Sequence, residues 1–193
     1  MCVILFNNKA RDIMRLFIFP FIGLANDAEN KGVFGEMIVA SVFDPRYFGE
    51  EEHYIVNDVN IVDDRGNNHQ IDHVVICSNG IFCIETKHMS GSVLADPKRK
   101  EWYQLSYGRS YPFYNPLMQN ETHARVLAKY LGGKWPIHQI TVFTRENKPK
   151  LKVEGLLNLS ELRAYVHEYK SDYFLSSEEM KEIKQRLIAL KES

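Results

Sequence analysis

The chain has 193 residues, of which 45% are apolar and 25% charged; this suits one domain with a substantial core and excludes a disordered chain. A formal net charge of −1 excludes a general attraction to nucleic acid or acidic membranes, so any polyanion site must be local. The three cysteines, Cys2, Cys77 and Cys83, form no CxxC pair, which indicates a reducing compartment and a cytoplasmic location.

The first 30 residues form a segment separate from the single domain predicted for residues 31–193. Their apolar run, residues 16–25, contains Pro20 and is about half the roughly 20 residues that a membrane helix needs. We expect a packed or mobile segment without stable membrane insertion. Because Lys9, Arg11 and Arg15 precede the run, weak membrane association stays open.

Helical and strand patterns alternate along the domain. The sequence predicts a helix at 32–43 capped by Asn30 or Asp27, a strand at 54–62, a turn at 63–68, a hairpin at 70–87, short strands at 91–94 and 101–106, a helix at 116–131 capped by Asn115, a strand at 137–143, and helices at 160–169 and 176–190. This order predicts an α/β or α+β fold with a mixed β-sheet flanked by helices.

The hairpin, QIDHVVICSNGIFCIETK at 70–87, carries charges at its ends. A type I′ turn at Asn79-Gly80 would pair Asp72 with Lys87, and Glu85 lies two residues from Lys87 on the same strand. All three side chains then project from one face, where Asp72 and Glu85 can reach one divalent cation. A surface ion pair is the alternative interpretation.

Both faces of the hairpin are otherwise apolar. Ile71, His73 and Val75 alternate with Val74 and Ile76, so we expect helices to cover the sheet on both sides. Charges at the end of such a sheet are costly unless they are paired or bound to a metal.

Two more polar residues lie in apolar or helical contexts. Glu36 is the only charged residue between Lys31 and Asp44; it is either functional or a carboxylate that favours the start of a helix. Gln119 shares a helix face with His123, and a solvent-facing glutamine is the alternative there.

These motifs together resemble a known family. GVFGE at 32–36, the hairpin, GSV at 91–93, Trp102 and NPLMQN at 115–120 closely resemble the nuclease-related domain (NERD) pattern, which is placed among PD-(D/E)XK restriction-endonuclease-like folds. The resemblance covers residues 32–143. It implies a restriction-endonuclease-like core with catalytic residues at Glu36, Asp72, Glu85, Lys87 and Gln119.

The resemblance also implies a metal-dependent nuclease. Asp72 and Glu85 would hold Mg²⁺ or Mn²⁺, helped by the Thr86 carbonyl and by Glu36 through water, since oxygen ligands favour these ions. Lys87 would orient water and offset phosphate charge, and Gln119 would position water or the nucleic-acid backbone. The expected partner is nucleic acid, most of all DNA, in processing, repair or defence.

Other side chains offer accessory roles. Of the nearby histidines, His88 is the one expected to assist, whereas His73 and His123 are expected to pack or hydrogen-bond. Phosphates and unpaired bases have candidate contacts in Lys98, Arg99, Lys100, Arg109, Arg125 and Lys129, and in Tyr103, Tyr107, Tyr111, Phe113 and Tyr114. Solvated charges and core aromatics explain the same residues.

Two other functions compete with the nuclease. The chain could be a non-catalytic nucleic-acid-binding or interaction module on a nuclease-like fold, because a fold can outlive its chemistry. The charged residues could also form a buried ion-pair cluster in a domain of other purpose.

Overall fold

The computed structural model describes residues 4–5, 28–49 and 51–192. The predicted N-terminal segment, with its apolar run at 16–25, therefore lies almost wholly outside the described residues. None of the helices in the described part of the chain is long and apolar enough to cross a membrane.

The elements confirm the predicted alternation of helices and strands. In chain order they are β1 (Ile4–Leu5), α1 (Ala28–Val42), α2 (Pro45–Phe48), β2 (His53–Val62), β3 (Asn68–Cys77), β4 (Gly80–Lys87), β5 (Ser92–Leu94), β6 (Glu101–Ser106), β7 (Arg109–Tyr114), α3 (Pro116–Tyr130), β8 (Ile137–Phe143), β9 (Leu156–Asn158), α4 (Leu159–Glu168) and α5 (Ser177–Glu192).

A mixed six-stranded sheet in the order β1-β2-β3-β4-β8-β9 forms the centre. Strands β2, β3 and β4 are antiparallel neighbours, whereas β8 pairs parallel to β4 and β9 parallel to β8. Between β4 and β8 the chain forms a second, three-stranded antiparallel sheet, β5-β6-β7, and then α3. This arrangement confirms the predicted α/β fold with a mixed sheet.

Helices cover the central sheet on both faces, as the apolar hairpin predicted. Ala124 and Leu127 of α3 and Ile183 of α5 pack with Val74 and its neighbours on one face. On the other face, α1 and α4 pack against the strands through Val39, Ala40, Phe43, Leu162 and Val166. The polar residues at the ends of β3 and β4 therefore lie at the edge of a layer that is largely closed to water.

The residue alternation breaks at one place in β2 and β3. Asp58 has a φ of 55° in the middle of β2, between Asn57, which pairs with His73, and Val59, which pairs with Ile71. A left-handed residue within a strand reorients the side chains that follow it. Ile71 accordingly packs in the same core cluster as Val74, and its predicted place on the opposite face is wrong.

Other differences from the predicted elements are local. Helix α1 already begins at Ala28, so Asn30 lies inside it and does not cap it; Asp27 is outside the described residues. The sequence did not predict β7, which contains Pro112 and is largely exposed, or β9, which has only three residues. Asn115 caps α3 as predicted, accepting a hydrogen bond from the Leu117 amide.

Candidate active site

The hairpin register differs from the predicted one by two residues. Cys77 pairs with Gly80 and Val74 with Cys83, so Ser78-Asn79 forms the loop and not Asn79-Gly80. Continuing this register by one pair beyond His73 sets Asp72 across from Glu85 rather than from Lys87. Because the shift is an even number of residues, it does not by itself change the face on which a side chain lies.

A tertiary contact accounts for the different turn. Asn79 lacks the positive φ that a type I′ turn requires, and Gly80 alone adopts one, of 141°. The Asn79 side-chain amide instead donates to the carbonyls of Val166 and His167 at the end of α4, at 3.1 and 2.9 Å. The Asn79 side chain therefore caps the end of α4, and the loop conformation follows this tertiary contact rather than the local turn preference of Asn-Gly.

Glu85, Lys87 and Gln119 form one hydrogen-bonded group. Lys87 Nζ donates to Glu85 Oε1 at 2.5 Å and to Gln119 Oε1 at 3.3 Å. Glu85 is 1% exposed, and Lys87 is partly buried beside it. The structure thus joins the end of β4 to the first turn of α3, and Gln119 faces the site rather than solvent.

Asp72 meets the same strand through its carboxylate. The backbone N–H of Thr86 donates to Asp72 Oδ2 at 2.7 Å. Burial, reinforced by repulsion from Glu85 and Glu36, raises the pKa of Asp72 well above its ordinary value. Burial also opposes ionisation of Glu85, but His123 and Lys87 outweigh it and lower the pKa of Glu85. Two carboxyl groups therefore share this site with one ammonium, and burial and repulsion disfavour the ionisation of both.

Glu36 approaches from the other face of the sheet. Helix α1 packs closely against His88, the residue that follows β4. The approach is so close that a Cβ added to Gly35 would clash with His88 Cβ. Burial and then repulsion from Asp58 and Glu85 raise the pKa of Glu36 to about 7. The predicted lone carboxylate of α1 is thus within electrostatic range of the hairpin carboxylates.

His123 lies at the site, although the sequence predicted only packing or hydrogen bonding for it. Its Nδ1 lies 3.4 Å from Glu85 Oε2, which is longer than an ordinary hydrogen bond, and neither buried atom has a hydrogen-bond partner in the described part of the chain. The signal was present, since His123 follows Gln119 by four residues on one helix face. Beyond it, the His69 ring packs edge-on against the His123 ring, and His69 Nε2 donates a hydrogen bond to Asp63 Oδ2 at 3.1 Å.

The other two histidines have structural contacts. His88 Nδ1 lies 2.6 Å from Thr144 Oγ1, and Arg145 Nε donates to His88 Nε2 at 3.3 Å, so the side chain is tied to the segment after β8. His73 is buried with Nδ1 2.7 Å from Asn57 Oδ1, and burial lowers its pKa to about 3. The expectation that His73 forms hydrogen bonds in the core is met by this contact.

The donor set fits a hard cation only in part. Within residues 28–49 and 51–192, no group of three or more His, Cys, Asp or Glu side chains is arranged to hold a metal ion. However, Glu85 Oε2 is a buried anionic atom with no hydrogen-bond partner there, and Asp72 faces the same end of the hairpin. Two carboxylate side chains, one of which has the free oxygen Glu85 Oε2, suit Mg²⁺ or Mn²⁺, provided that backbone or water oxygens complete the coordination shell.

The chain is similar to a described protein family and to an uncharacterized protein. The model of a family described as nuclease-related domain matches residues 31–144. An uncharacterized protein of Bacillus anthracis is 27% identical over 161 residues, which cover 79% of this chain and 73% of that protein. The chain has no significant match among solved structures.

Proposed function

Because the chain belongs to the nuclease-related domain family, and thereby to the PD-(D/E)XK superfamily, we propose that it is a metal-dependent nuclease that hydrolyses phosphodiester bonds in DNA. One observation carries the proposal: Asp72, Glu85 and Lys87 converge at the end of the hairpin, with Lys87 bonded to both Glu85 and Gln119. Nucleic acid is the partner that the family implies in general; DNA, and a role in its processing, repair or defence, are parts of the proposal.

In this proposal Asp72, Glu85 and the Thr86 carbonyl hold Mg²⁺ or Mn²⁺, with Glu36 acting through water. When bound, the cation supplies Lewis-acid chemistry that draws charge from the phosphate and makes water more acidic. Burial and repulsion between like charges raise the pKa of Asp72 and Glu36. A bound cation would relieve this repulsion, and that relief favours cation binding.

Lys87 is the residue proposed to act on the reacting groups. Its ammonium is held by Glu85 and Gln119, which leaves one of its three N–H groups to orient the attacking water or to offset charge on the phosphate. Gln119 holds Lys87 through its carbonyl oxygen, so its amide is available to position the nucleic-acid backbone.

A cleavage assay tests this function. Purified protein with Mn²⁺ or Mg²⁺ should nick or degrade DNA, and chelation should stop it. Asp72→Ala should abolish the reaction, and Lys87→Ala should slow it by roughly 100-fold or more. Asp172→Ala removes an exposed carboxylate that is 85 or more residues away in the sequence from Asp72, Glu85 and Lys87. It is the matched control and should leave the activity unchanged.

Cleavage that persists unchanged in both Asp72→Ala and Lys87→Ala would refute the assignment. Binding without cleavage across DNA and RNA substrates would instead indicate a non-catalytic binding module. We include a cytoplasmic location in the proposal because Cys77 and Cys83 are buried free thiols, which suit a reducing compartment.

A further inference from the structure

The three-stranded sheet has one packed face and one exposed face. Trp102 and Phe113 pair across β6 and β7 and pack into a small core with Phe143. On the opposite face, Leu94 is 62% exposed and Tyr114 50% exposed. These residues, with Tyr103, Leu105 and Pro112, form what we call the outer face. Aromatic and apolar side chains at such exposure mark an interaction surface.

A basic turn lies next to the outer face. Lys98, Arg99 and Lys100 are all exposed, and neither lysine forms an ion pair within the described residues. Arg99 makes one, with Asp96 at 3.5 Å. The turn joins β5 to β6, so its positive charge borders the edge of the sheet where Tyr114 pairs with Glu101.

Buried side chains hold this basic turn in place. Asn115 is fully buried, and its amide donates to the carbonyls of Pro97 and Arg99 at 3.2 and 2.8 Å. The indole N–H of Trp102 donates to the carbonyl of Asp96 at 2.8 Å. The basic side chains therefore extend from a preorganised backbone, which lowers the entropy cost of binding a ligand.

The turn and the outer face belong to a segment that both begins and ends at the candidate active site. The three-stranded sheet is inserted between Lys87, at the end of β4, and Gln119, in the first turn of α3, and these two side chains are 3.3 Å apart. Tyr114 directly precedes Asn115, which caps α3. The start of α3 therefore connects Gln119 of the candidate active site with Tyr114 and, through Asn115, with the basic turn.

We propose that the outer face and the basic turn bind an unpaired segment of nucleic acid that leads into the active site. Lys98 and Lys100 contact its phosphates, and the Tyr114 ring stacks on a base. An unpaired strand fits because its bases expose their flat faces, which a duplex keeps stacked inside. The positive turn selects a polyanion over a neutral apolar partner.

This inference rests on the proposed nuclease function for its orientation, but its test does not need cleavage. Binding is measured by fluorescence anisotropy in EDTA, with labelled oligo(dT) or oligo(U) of about 15 nucleotides and a duplex of the same length. We expect the single strands to bind more tightly than the duplex. Tyr114→Ala should weaken single-strand binding by roughly fivefold or more, and Tyr114→Phe, which keeps the ring, should restore it.

The lysines have a separate readout. In a Lys98→Ala/Lys100→Ala variant, the negative slope of log affinity against log salt should become shallower by roughly 0.7 for each phosphate that the protein no longer neutralises. Arg163→Ala/Lys170→Ala removes two exposed charges on and after α4 and should leave the slope unchanged. The Tyr114 variants thus measure base stacking, and the lysine variant measures the contribution of charge.

Single-strand affinity that is equal in wild type and Tyr114→Ala overturns the inference, and so does a preference for the duplex. A protein that cleaves DNA yet shows either result keeps the nuclease proposal and loses this one. A protein that binds as described but cleaves no substrate with Mn²⁺ keeps this inference and loses the nuclease proposal.

Discussion

At the scale of single residues, the site is a set of charges that burial destabilises. Glu85 is almost fully buried, and one of its oxygens bonds to Lys87 while the other faces His123 without a proper hydrogen bond. Such a pair is expensive in the absence of a further ligand, because buried charge needs full compensation.

His123 is expected to act as a positioning residue, since it contacts Glu85 and no reacting group. His123→Leu should reduce both Mn²⁺ affinity and cleavage by roughly 10- to 100-fold, the usual effect of losing a group that orients a metal ligand. His123→Asn keeps a donor near the position of Nδ1 and should retain most of both. Calorimetric titration with Mn²⁺ and the cleavage assay give the two readouts.

A purely packing role for His123 predicts the reverse order of the two variants, since leucine fills the apolar volume better than asparagine. If His123→Leu equals wild type in both measurements while His123→Asn is impaired, the positioning role is wrong.

At the scale of elements, local sequence patterns predicted the hairpin only in part. The predicted pairing correctly brought Asp72 to the same end of the hairpin as Glu85 and Lys87, because a register shift of two residues does not by itself change side-chain direction. The turn itself was predicted wrongly. Asn79 is drawn to α4, almost ninety residues later in the chain, and no local preference encodes that contact.

The capping of α4 by Asn79 has a measurable consequence. Asn79→Ala removes two hydrogen bonds to terminal helix carbonyls and should lower the free energy of unfolding by about 1 to 2 kcal/mol. Ser78→Ala is the matched control in the same loop, since the Ser78 hydroxyl makes only a 3.5 Å contact with Asn79. Urea denaturation of both variants measures the difference, and equal stabilities would show that the Asn79 bonds contribute nothing.

At the scale of the whole molecule, the fold brings both faces of the central sheet to one site. Helix α3 supplies Gln119 and His123 from one side, and α1 supplies Glu36 from the other. The insertion between β4 and α3 adds the outer face and the basic turn beside them. The fold is destabilised at this place, because it gathers buried carboxylates that repel each other.

Asp72→Asn should therefore raise the melting temperature at neutral pH without divalent cations. Asparagine keeps the acceptor for the Thr86 N–H and removes a charge that burial and like charges disfavour. Each kcal/mol gained corresponds to about 2 to 4 °C in a domain of this size. Mn²⁺ should raise the melting temperature of the wild type and leave that of Asp72→Asn nearly unchanged. A lower melting temperature for Asp72→Asn in metal-free buffer would contradict the repulsion.

The amino-acid sequence alone was sufficient for the fold class, most elements, and the identity of the residues that converge. The fold class, the elements and the grouping of Asp72, Glu85 and Lys87 follow from apolar periodicity, helix caps and residue chemistry, all of which act over a few neighbouring positions. Glu36 and Gln119 were assigned to the site by the family resemblance. Only the tertiary structure decided the Ser78-Asn79 turn, the approach of Glu36 through Gly35, the contact of His123 with Glu85, and the anchoring of the basic turn by Asn115. Each of these depends on segments far apart in the chain, whose packing no local pattern specifies.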